Sequence, residues 1–536
     1  MLDSLWGEEF TIVDKPKTKK IIDKIKKEKT EASEKSTEKI IKSKNLSFSD
    51  KLPIIKEKVY NILGKQIDNI SVIYSKEQLH NYLQKGLKFG RISIDTETNN
   101  SLDPITCKLM GLCLYVKDEK QVYIPVNHIN PETNEKLSNQ LTEKDINDEL
   151  SWLMKNKCNC KFVFHNGKFD YQVLKRTCGV ELDIDWDTMI GAKLLDENEK
   201  SAGLKQQYID KIDKNQEKYS IDNLFEGLEY SLFEPELFSL YAATDAMITD
   251  KLYEYQMDRF KDPDLSRVLK LANEVEMPLI KVVAEMEDYG VEFDNDYNKI
   301  LAKKYHDKLN NIDKELEEEL LKIKPRIDAW RLTPEANDKQ KSLKSDKLGK
   351  SKSEQLEENI NLGSPTQLAI LFYDVLKCPS VSKKSPRGTG EEELKALSKK
   401  MKMKLFDNLI ERRAVVKLLD SFIDSLPEAV NIDGRIHCKF NQYGAATGRF
   451  SSSDPNLQQI PSHNSEIRMI FKASSKLNYI EEDNSCFKVS STSDIFTQSG
   501  WKKVSEVKVG ELISVDDSFI PIVRKEKNVE TYIIYI

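Results

Sequence analysis

Short β-branched segments and helix-like segments alternate between residues 69 and 257. ISVIYS, FGRISIDTET, LMGLCLYV and QVYIPV are apolar runs separated by turn residues, and they precede the helix-like DINDELSWLMK and a further run, KFVFH. Runs of this length and composition predict strands, and the segments with helical spacing predict helices that pack against them. The sequence therefore predicts a mixed α/β domain over residues 69–257.

The rest of the chain predicts further domains. At 536 residues it is too long for one ordinary domain, so two to four folded units are expected. Apolar spacing in LANEVEMPLIKVVAEMEDYG predicts a helical region over 258–430, with a loop-rich insertion near 325–358. A second mixed region occupies 431–485, and strand-like runs such as ELISVDD and TYIIYI follow over 486–536. The expected fold class is α/β and α+β, in several domains.

The N-terminal residues differ in composition from this folded part. Between positions 11 and 44 there are twelve lysines, six acidic residues and almost no aromatic side chains. Such a segment has little apolar surface to bury and is typical of a solvated arm. We expect a flexible, lysine-rich arm over residues 1–68.

Charge, cysteine content and hydropathy exclude some classes of protein. The formal net charge of −6 argues against binding of nucleic acid over the whole surface, although one groove can still be basic. The eight cysteines show no zinc-site spacing, and seven of them are interpreted as reduced thiols. Because no run of about twenty apolar residues and no signal peptide is present, we expect a soluble, cytoplasmic protein without a membrane partner.

Four carboxylates and a tyrosine form the first candidate site. Asp95 and Glu97 end an apolar strand at positions i and i+2, so both side chains leave the same face. Asp170 follows another predicted strand, and Tyr241 and Asp245 lie one turn apart on a predicted helix. Hard oxygen ligands from separate segments suit a pair of Mg²⁺ or Mn²⁺ ions that activate water at a phosphodiester. Each motif alone is also compatible with a solvated acidic turn.

Taken in order, RISIDTETNN, FVFHNGKFDYQVL and YAATDAMITDKLY resemble the three motifs of proofreading 3′–5′ exonucleases of the DEDD class with tyrosine in the third motif. The resemblance implies a ribonuclease H-like domain that acts on a single-stranded DNA 3′ end. It also implies that the four carboxylates hold two Mg²⁺ or Mn²⁺ ions and that Tyr241 positions the water. Asn166 and Phe169 would be supporting residues that contact the DNA.

A polar segment, NQYGAATGRFSSSDPNLQQIP, is the second candidate site. Its arginine can make a two-pronged phosphate contact, and its hydroxyls and amides can donate neutral hydrogen bonds to a sugar–phosphate backbone. A polar surface loop is the alternative interpretation. The candidate DNA-binding residues are Thr447, Arg449, Ser451, Ser452, Asn456 and Gln458.

The same segment resembles the T-G-R-L-S-S-x-x-P-N-L-Q-N-I-P signature of family A DNA polymerases, with Phe450 and Gln459 as departures. The resemblance implies a helical thumb over 258–430 and a partial palm of a right-hand polymerase over 431–485. Asp483 would be the first catalytic carboxylate of the palm. It would hold Mg²⁺ for nucleotidyl transfer once the site is complete, and primer–template DNA would be the partner.

The family A pattern stops after Ser485. From Cys486 the sequence resembles the beginning of an intein, which implies a β-rich, HINT-like partial domain over 486–536. In that chemistry the Cys486 thiol attacks the Ser485 carbonyl and converts the peptide bond into a thioester. No histidine follows Cys486, so a complementary chain is expected to supply the activating histidine, whether the gene is naturally split or truncated. An inert thiol in a diverged tail is the alternative.

These expectations combine into one hypothesis. The chain is interpreted as the N-terminal half of a DNA polymerase with a proofreading exonuclease, joined by protein splicing to a C-terminal partner chain in a bacterial or phage-infected cell. The alternatives are a stand-alone 3′–5′ exonuclease or RNase D-like ribonuclease, and an inactive precursor.

Overall fold

A twisted six-stranded sheet forms the centre of the N-terminal part. The computed structural model describes residues 48–536 except 100, 102, 200, 215–224, 226–227, 340–349, 446, 463, 473–481, 484–485, 491–493, 498–499, 509–511, 516–517, 522–523, 528–530 and 536. The strands are β1 Ile70–Val72, β2 Arg91–Thr98, β3 Leu109–Tyr115, β4 Gln121–Pro125, β5 Lys161–Phe164 and β6 Trp186–Asp187. Their order is β1-β4-β3-β2-β5-β6, with β3 antiparallel to both of its neighbours and the other pairs parallel.

Helices cover both faces of this sheet. Ile92 and Ile94 of β2 pack in a core with the helices Lys76–Phe89, Glu143–Lys155 and Gly167–Cys178. Cys113 of β3 and Tyr123 of β4 pack in a second core with other helices. Because side chains alternate along each strand, the two apolar sets point to opposite faces and the sheet is buried on both. The helices described here are Phe48–Leu63, Lys76–Phe89, Glu143–Lys155, Gly167–Cys178, Thr188–Leu195, Leu204–Lys211, Pro235–Arg259, Ser266–Leu271 and Met277–Tyr289.

The prediction of a flexible arm over 1–68 is wrong for its last third. Residues Phe48–Leu63 form a helix whose side chains Ile55, Val59 and Leu63 are buried in the second core. This helix has apolar positions at i, i+4 and i+8, which is the spacing that allows one face to pack against the sheet. The predicted arm up to residue 47 lies outside the described residues.

The helical region forms a second unit, which comprises Gly290–His437 and Leu457–Ile536. Its core includes Leu316 of the 37-residue helix Asn295–Arg331 together with Phe372 and Phe406. The loop-rich insertion was predicted near 325–358, but the helix continues through Pro325 to Arg331, so the predicted range begins too early. Residues 340–349 lie outside the described part of the chain. The further helices of this unit are Pro334–Asn337, Lys352–Gln355, Pro365–Ala369, Glu391–Met401, Lys404–Leu418 and Ser465–Arg468.

Contacts between residues divide the chain differently from the predicted domain boundaries. The first unit extends to Tyr289 and also includes Cys438–Asn456. The sequence analysis predicted that this second segment belongs to the partial palm over 431–485. Within it the strands Lys439–Asn441 and Ser451–Ser453 pair in an antiparallel hairpin. We call these two strands and the residues between them the Arg449 hairpin. The hairpin joins the first unit because its own hydrogen bonds reach the helix Met277–Tyr289.

Short strands follow after residue 481, as predicted. One four-stranded sheet contains Glu482–Asp483, Cys486–Ser490, Thr531–Tyr535 and Arg524–Lys527, in that order. A second contains Gly500–Lys503, Asp494–Thr497, Leu512–Val515 and Ser518–Pro521. Among the described helices, none combines the length and the apolar character that crossing a bilayer requires.

Candidate metal centre and DNA-contacting segment

The strand β2 presents two of the predicted carboxylates on one face. Asp95 is half-buried and Glu97 is buried, and they lie on the strand face opposite Ile92 and Ile94. On the same face as Asp95, Ser93 donates a hydrogen bond to Asp250 of the helix Pro235–Arg259 at 3.2 Å. The period of two therefore directs Asp95 and Glu97 toward the helix that carries Tyr241 and Asp245.

The residue between them positions the third carboxylate. The Thr96 backbone N–H and its Oγ1 hydroxyl both donate to Asp170 Oδ1, at 2.8 Å and 2.6 Å. Asp170 is buried in the first turn of the helix Gly167–Cys178, and burial raises its pKa to about 7 although the two Thr96 bonds act in the opposite direction. Sequence reasoning missed Thr96, whose two hydrogen bonds fix the position of the Asp170 carboxylate.

Asn166 and Phe169 lie at the start of the same helix. Asn166 adopts a left-handed backbone conformation with φ of 61°, and its N–H donates to Asp187 Oδ1 at 3.1 Å. The Gly167 N–H donates to the other Asp187 oxygen at 2.8 Å, so one buried carboxylate fixes the turn that leads to Asp170. Phe169 packs partly buried against the first core. Their predicted role in DNA contact stays a prediction.

Tyr241 and Asp245 follow each other by one turn on the helix Pro235–Arg259. The Tyr241 ring packs against Phe225, with ring centroids 4.9 Å apart. The Lys205 ammonium lies 4.6 Å from the centre of the Tyr241 ring and 3.6 Å from Asp245 Oδ2. Lys205 stands in the first turn of the helix Leu204–Lys211, so the helix start in GLKQQYI brings a cation to the carboxylates. Lys205 was not among the predicted site residues.

The four carboxylates lie close enough for the other three to affect the pKa of Asp95. The pKa of Asp95 is raised well above its ordinary range, first by burial and then by the negative charges of Asp170, Glu97 and Asp245, while Lys205 offsets part of the effect. We call these four groups the metal-site carboxylates. The structure thus places these four side chains, from three separate segments, within electrostatic reach of Asp95, and their role as metal ligands stays a prediction.

The donor chemistry of this site fits hard divalent cations. Ligand atoms of Asp95, Glu97 and Cys113 lie within 4.8 Å of one another. Burial raises the pKa of the Cys113 thiol well above its ordinary range, so Cys113 stays a neutral thiol there, a poor ligand for Mg²⁺. The carboxylate oxygens that remain are the donors that Mg²⁺ and Mn²⁺ prefer. The metal-site carboxylates would therefore hold such ions.

The predicted DNA-contacting residues fall into two settings. Thr447 and Arg449 are exposed in the Arg449 hairpin, and Asn456 lies in the same unit, whereas Gln458 stands in a short 3-10 turn of the second unit. Ser452 is buried, and its hydroxyl donates to the Pro455 carbonyl at 3.3 Å. The Ser452 hydroxyl thus stabilises the chain turn, while Arg449 is displayed to solvent.

Asp483 and Cys486 pair with each other in the backbone register of two antiparallel strands. Ser485, the predicted reaction partner of Cys486, lies outside the described residues. The roles predicted for Asp483 and Cys486 therefore stay predictions.

Two family models match the chain. The model of the 3′–5′ exonuclease family matches residues 70–259, and the model of DNA polymerase family A matches residues 334–488. The chain combines a 3′–5′ exonuclease domain with family A DNA polymerase sequence. The resemblances to 3′–5′ exonucleases and to family A DNA polymerases are confirmed, and the resemblance to an intein stays a prediction. The metal-site carboxylates all lie within the exonuclease match, and Arg449 lies within the polymerase match.

Relatives of known identity agree with this assignment. DNA polymerase I of Borreliella burgdorferi is 30% identical over 404 residues, which are 75% of this chain and 38% of the relative. DNA polymerase I of Synechocystis sp. is 30% identical over 463 residues, or 83% of this chain and 42% of the relative. The chain therefore spans about two fifths of the length of these curated relatives.

A solved structure shares the fold. The POL domain of Pol1 from M. smegmatis, in complex with DNA primer-template and dNTP, matches with a TM-score of 0.57 at 20% identity. The match covers 80% of this chain and 61% of that chain. The multidomain α/β architecture, with exonuclease and polymerase parts, is thus the expected one.

Proposed function

We propose that the exonuclease domain removes nucleotides from the 3′ end of single-stranded DNA. The observation that carries this proposal is the clustering of the metal-site carboxylates: burial, and then the negative charges of Asp170, Glu97 and Asp245, raise the pKa of Asp95 well above its ordinary range. Such a concentration of buried negative charge is costly unless cations neutralise it. Two Mg²⁺ or Mn²⁺ ions, when bound, would supply charge neutralisation and a more acidic water.

The chain's own groups would orient the reaction. Thr96 fixes Asp170 through two donated hydrogen bonds, so that one ligand is already in place before DNA arrives. The Tyr241 hydroxyl would hold the attacking water, since its ring is held by the Phe225 contact and by the Lys205 ammonium. Asn166 and Phe169 would contact the terminal nucleotides.

A gel assay on labelled strands tests this proposal. Purified protein should shorten single-stranded DNA from its 3′ end with Mg²⁺ or Mn²⁺, and Asp95→Ala/Glu97→Ala should reduce the rate by about a hundredfold or more. Glu132→Ala, which removes an exposed carboxylate from a loop, serves as the matched control and should be unaffected. Unchanged degradation by the double variant would show that the site is misassigned, and faster cleavage of single-stranded RNA would point to a ribonuclease.

We further propose that the Arg449 segment contacts the backbone of a primer–template. The exposed Arg449 guanidinium can bind phosphate oxygens in two places, while Thr447 and Asn456 add neutral hydrogen bonds. Asp483 would act as the first polymerase carboxylate and would hold Mg²⁺ only in a completed palm. Primer–template binding should therefore weaken steeply with salt, and Arg449→Ala should reduce the salt dependence.

Completion of the polymerase is proposed to require splicing with a C-terminal partner chain. The Cys486 thiol would attack the Ser485 carbonyl, so that a carbon–sulfur bond forms as the carbon–nitrogen bond breaks and the proton passes to the released Cys486 amine. The end of the family A match at residue 488, close to this junction, supports the proposal, as do the strands that follow.

Co-expression with a candidate partner tests the splicing proposal. Mass spectrometry should find a peptide that runs from Ser485 directly into partner sequence, and this peptide should be absent from Cys486→Ala. A joined peptide from the alanine variant, or an unspliced chain beside a functional partner, would refute the splicing role.

A further inference from the structure

The Arg449 hairpin has one edge that the rest of the hairpin does not cover. Its strands pair Phe440 with Ser452, Asn441 with Ser451 and Lys439 with Ser453. Strand edges carry backbone N–H and C=O groups that need partners elsewhere. At Phe440 these partners are two charged side chains rather than a further strand.

Glu287 and Lys168 satisfy this edge together. The Phe440 N–H donates to Glu287 Oε1 at 2.5 Å, and the Lys168 ammonium donates to the Phe440 carbonyl at 2.5 Å. Lys168 also donates to the same Glu287 oxygen, at 2.6 Å. The Glu287 carboxylate, the Lys168 ammonium and the backbone N–H and C=O of Phe440 are therefore linked by three contacts.

Burial makes this set hard to replace. Glu287 is 6% exposed, and its second oxygen accepts from Gln172 Nε2 at 3.1 Å. A buried carboxylate is tolerated only when its charge is paired and its lone pairs are hydrogen-bonded, and removal of one partner leaves an uncompensated charge. Each member of the set thus depends on the others.

A second contact fastens the hairpin where its loop begins. Gln442 is buried, and its Nε2 donates to Glu276 Oε2 at 3.0 Å and to the Glu276 carbonyl at 3.2 Å. Glu276 ends the π-helical turn that precedes the helix Met277–Tyr289. These two hydrogen bonds therefore fix the beginning of the loop that carries the exposed Arg449.

The position of Lys168 connects this anchor to the exonuclease centre. Lys168 lies in the first turn of the helix Gly167–Cys178, two residues before Asp170. One ion pair therefore joins the helix that presents a metal-site carboxylate, the helix that carries Glu287 and the hairpin that carries Arg449.

We infer that Glu287 and Lys168 are positioning residues that fix the Arg449 hairpin to the helix presenting Asp170. The consequence for function rests on the proposed role of Arg449: a DNA backbone bound there is held in a constant relation to the exonuclease centre. Loss of the pair should free the hairpin while the sheet and the metal-site carboxylates stay in place.

Hydrogen-exchange mass spectrometry on the DNA-free protein tests the anchor without any assumption about DNA. Peptides that cover residues 438–453 should exchange about tenfold faster in Glu287→Ala and in Lys168→Met, because a buried charge loses its partner. The strand Leu109–Tyr115 should exchange as in the wild type. Glu287→Gln, which keeps an acceptor for the Phe440 N–H, should give an intermediate rate and also covers the case in which the alanine variant does not fold.

The chain contains a matched control. Lys175 pairs with Glu285 between the same two helices, and within the described part of the chain this pair contacts Tyr171 and Glu181 rather than the hairpin. Glu285→Ala should therefore leave the exchange of 438–453 unchanged. Wild-type exchange in both Glu287 variants, or equal acceleration by Glu285→Ala, would overturn the inference.

Binding of a fluorescent primer–template separates the anchor from the proposed DNA contact. Arg449→Ala and Glu287→Ala should each weaken binding, and the double variant should bind no more weakly than Arg449→Ala alone, since both act through one contact. Cleavage of a short single strand should keep its kcat within about twofold in Glu287→Ala. Normal binding by Arg449→Ala would refute the proposed DNA contact. The hydrogen-exchange measurement alone would then test whether Glu287 and Lys168 fix the hairpin. Additive losses would overturn the anchor's role in positioning Arg449.

Discussion

Asp170→Asn should stabilise the metal-free protein above neutral pH. Asp170 is 3% exposed, and burial raises its pKa from the ordinary aspartate value of 3.8 to about 7. The folded state thus holds a proton that the unfolded chain releases near pH 4. Stability from this group is fully present below about pH 4 and is lost as pH rises through 7.

The size of the effect follows from the pKa difference. A change from 3.8 to about 7 in a fully buried group corresponds to about 4 kcal/mol. Asparagine retains an oxygen that accepts both Thr96 bonds, so the variant removes the charge and keeps the geometry. Asp170→Asn should therefore exceed the wild type by up to about 4 kcal/mol at pH 8 and by almost nothing at pH 4.

Urea titrations in a chelator, followed by hydrogen exchange of the strand Leu109–Tyr115, measure the stability of this sheet alone. Burial also lowers the pKa of His128 and of His165 to about 4, which reduces stability toward acid in both proteins and cancels in the difference. Mn²⁺ should stabilise the wild type at pH 8 much more than the variant, because binding to the folded state adds to stability. A pH-independent difference between the two proteins would refute the reasoning.

Substitutions at four further positions test the site and the fold. Thr96→Val keeps shape but removes a donor to Asp170, so Mn²⁺ affinity measured by calorimetry should fall about tenfold; unchanged affinity would contradict the pairing. Lys205→Met removes the cation beside the site, and Mn²⁺ should bind about threefold more tightly at low salt, an effect that high salt should reduce. Asn166→Gly should be nearly neutral in thermal unfolding, whereas Asn166→Val should cost about 1–2 kcal/mol, because a β-branched residue is strained at φ of 61°. Ile55→Ala should cost about 2–4 kcal/mol if the helix Phe48–Leu63 belongs to the domain core, and no loss would restore the prediction of a flexible arm.

The carboxylate site could be predicted because the order of its three motifs and the spacing of residues within each motif can both be read from the sequence. Asp95 and Glu97 share a face by the period of two, and Tyr241 and Asp245 share one by the helical repeat. Thr96 was not predicted, since the bonds from Thr96 to Asp170 join residues 74 positions apart. A donor of this kind becomes visible only when the strand β2 and the helix Gly167–Cys178 are packed together.

The helix Phe48–Leu63 shows a different limit. Lysine-rich composition dominates the first part of the chain, and composition averaged over 1–68 conceals the apolar face formed by Ile55, Val59 and Leu63. The helical spacing of apolar residues within 48–63 indicates the helix, whereas the composition averaged over 1–68 does not.

The Arg449 hairpin combines a family A signature with contacts to the first unit. The signature identifies family A sequence over this segment, yet the hairpin belongs by contact to the unit that contains the exonuclease domain. The reason is physical: the backbone N–H and C=O of Phe440 obtain their partners from Glu287 and Lys168, which are both distant from it in sequence. Because a strand edge must be satisfied by some donor and acceptor, the unpaired side of this hairpin required partners whose identity the sequence did not reveal. The ion pair that supplies them is therefore one of the contacts, beside the bond from Gln442 to Glu276, that join this segment of polymerase sequence to the first unit.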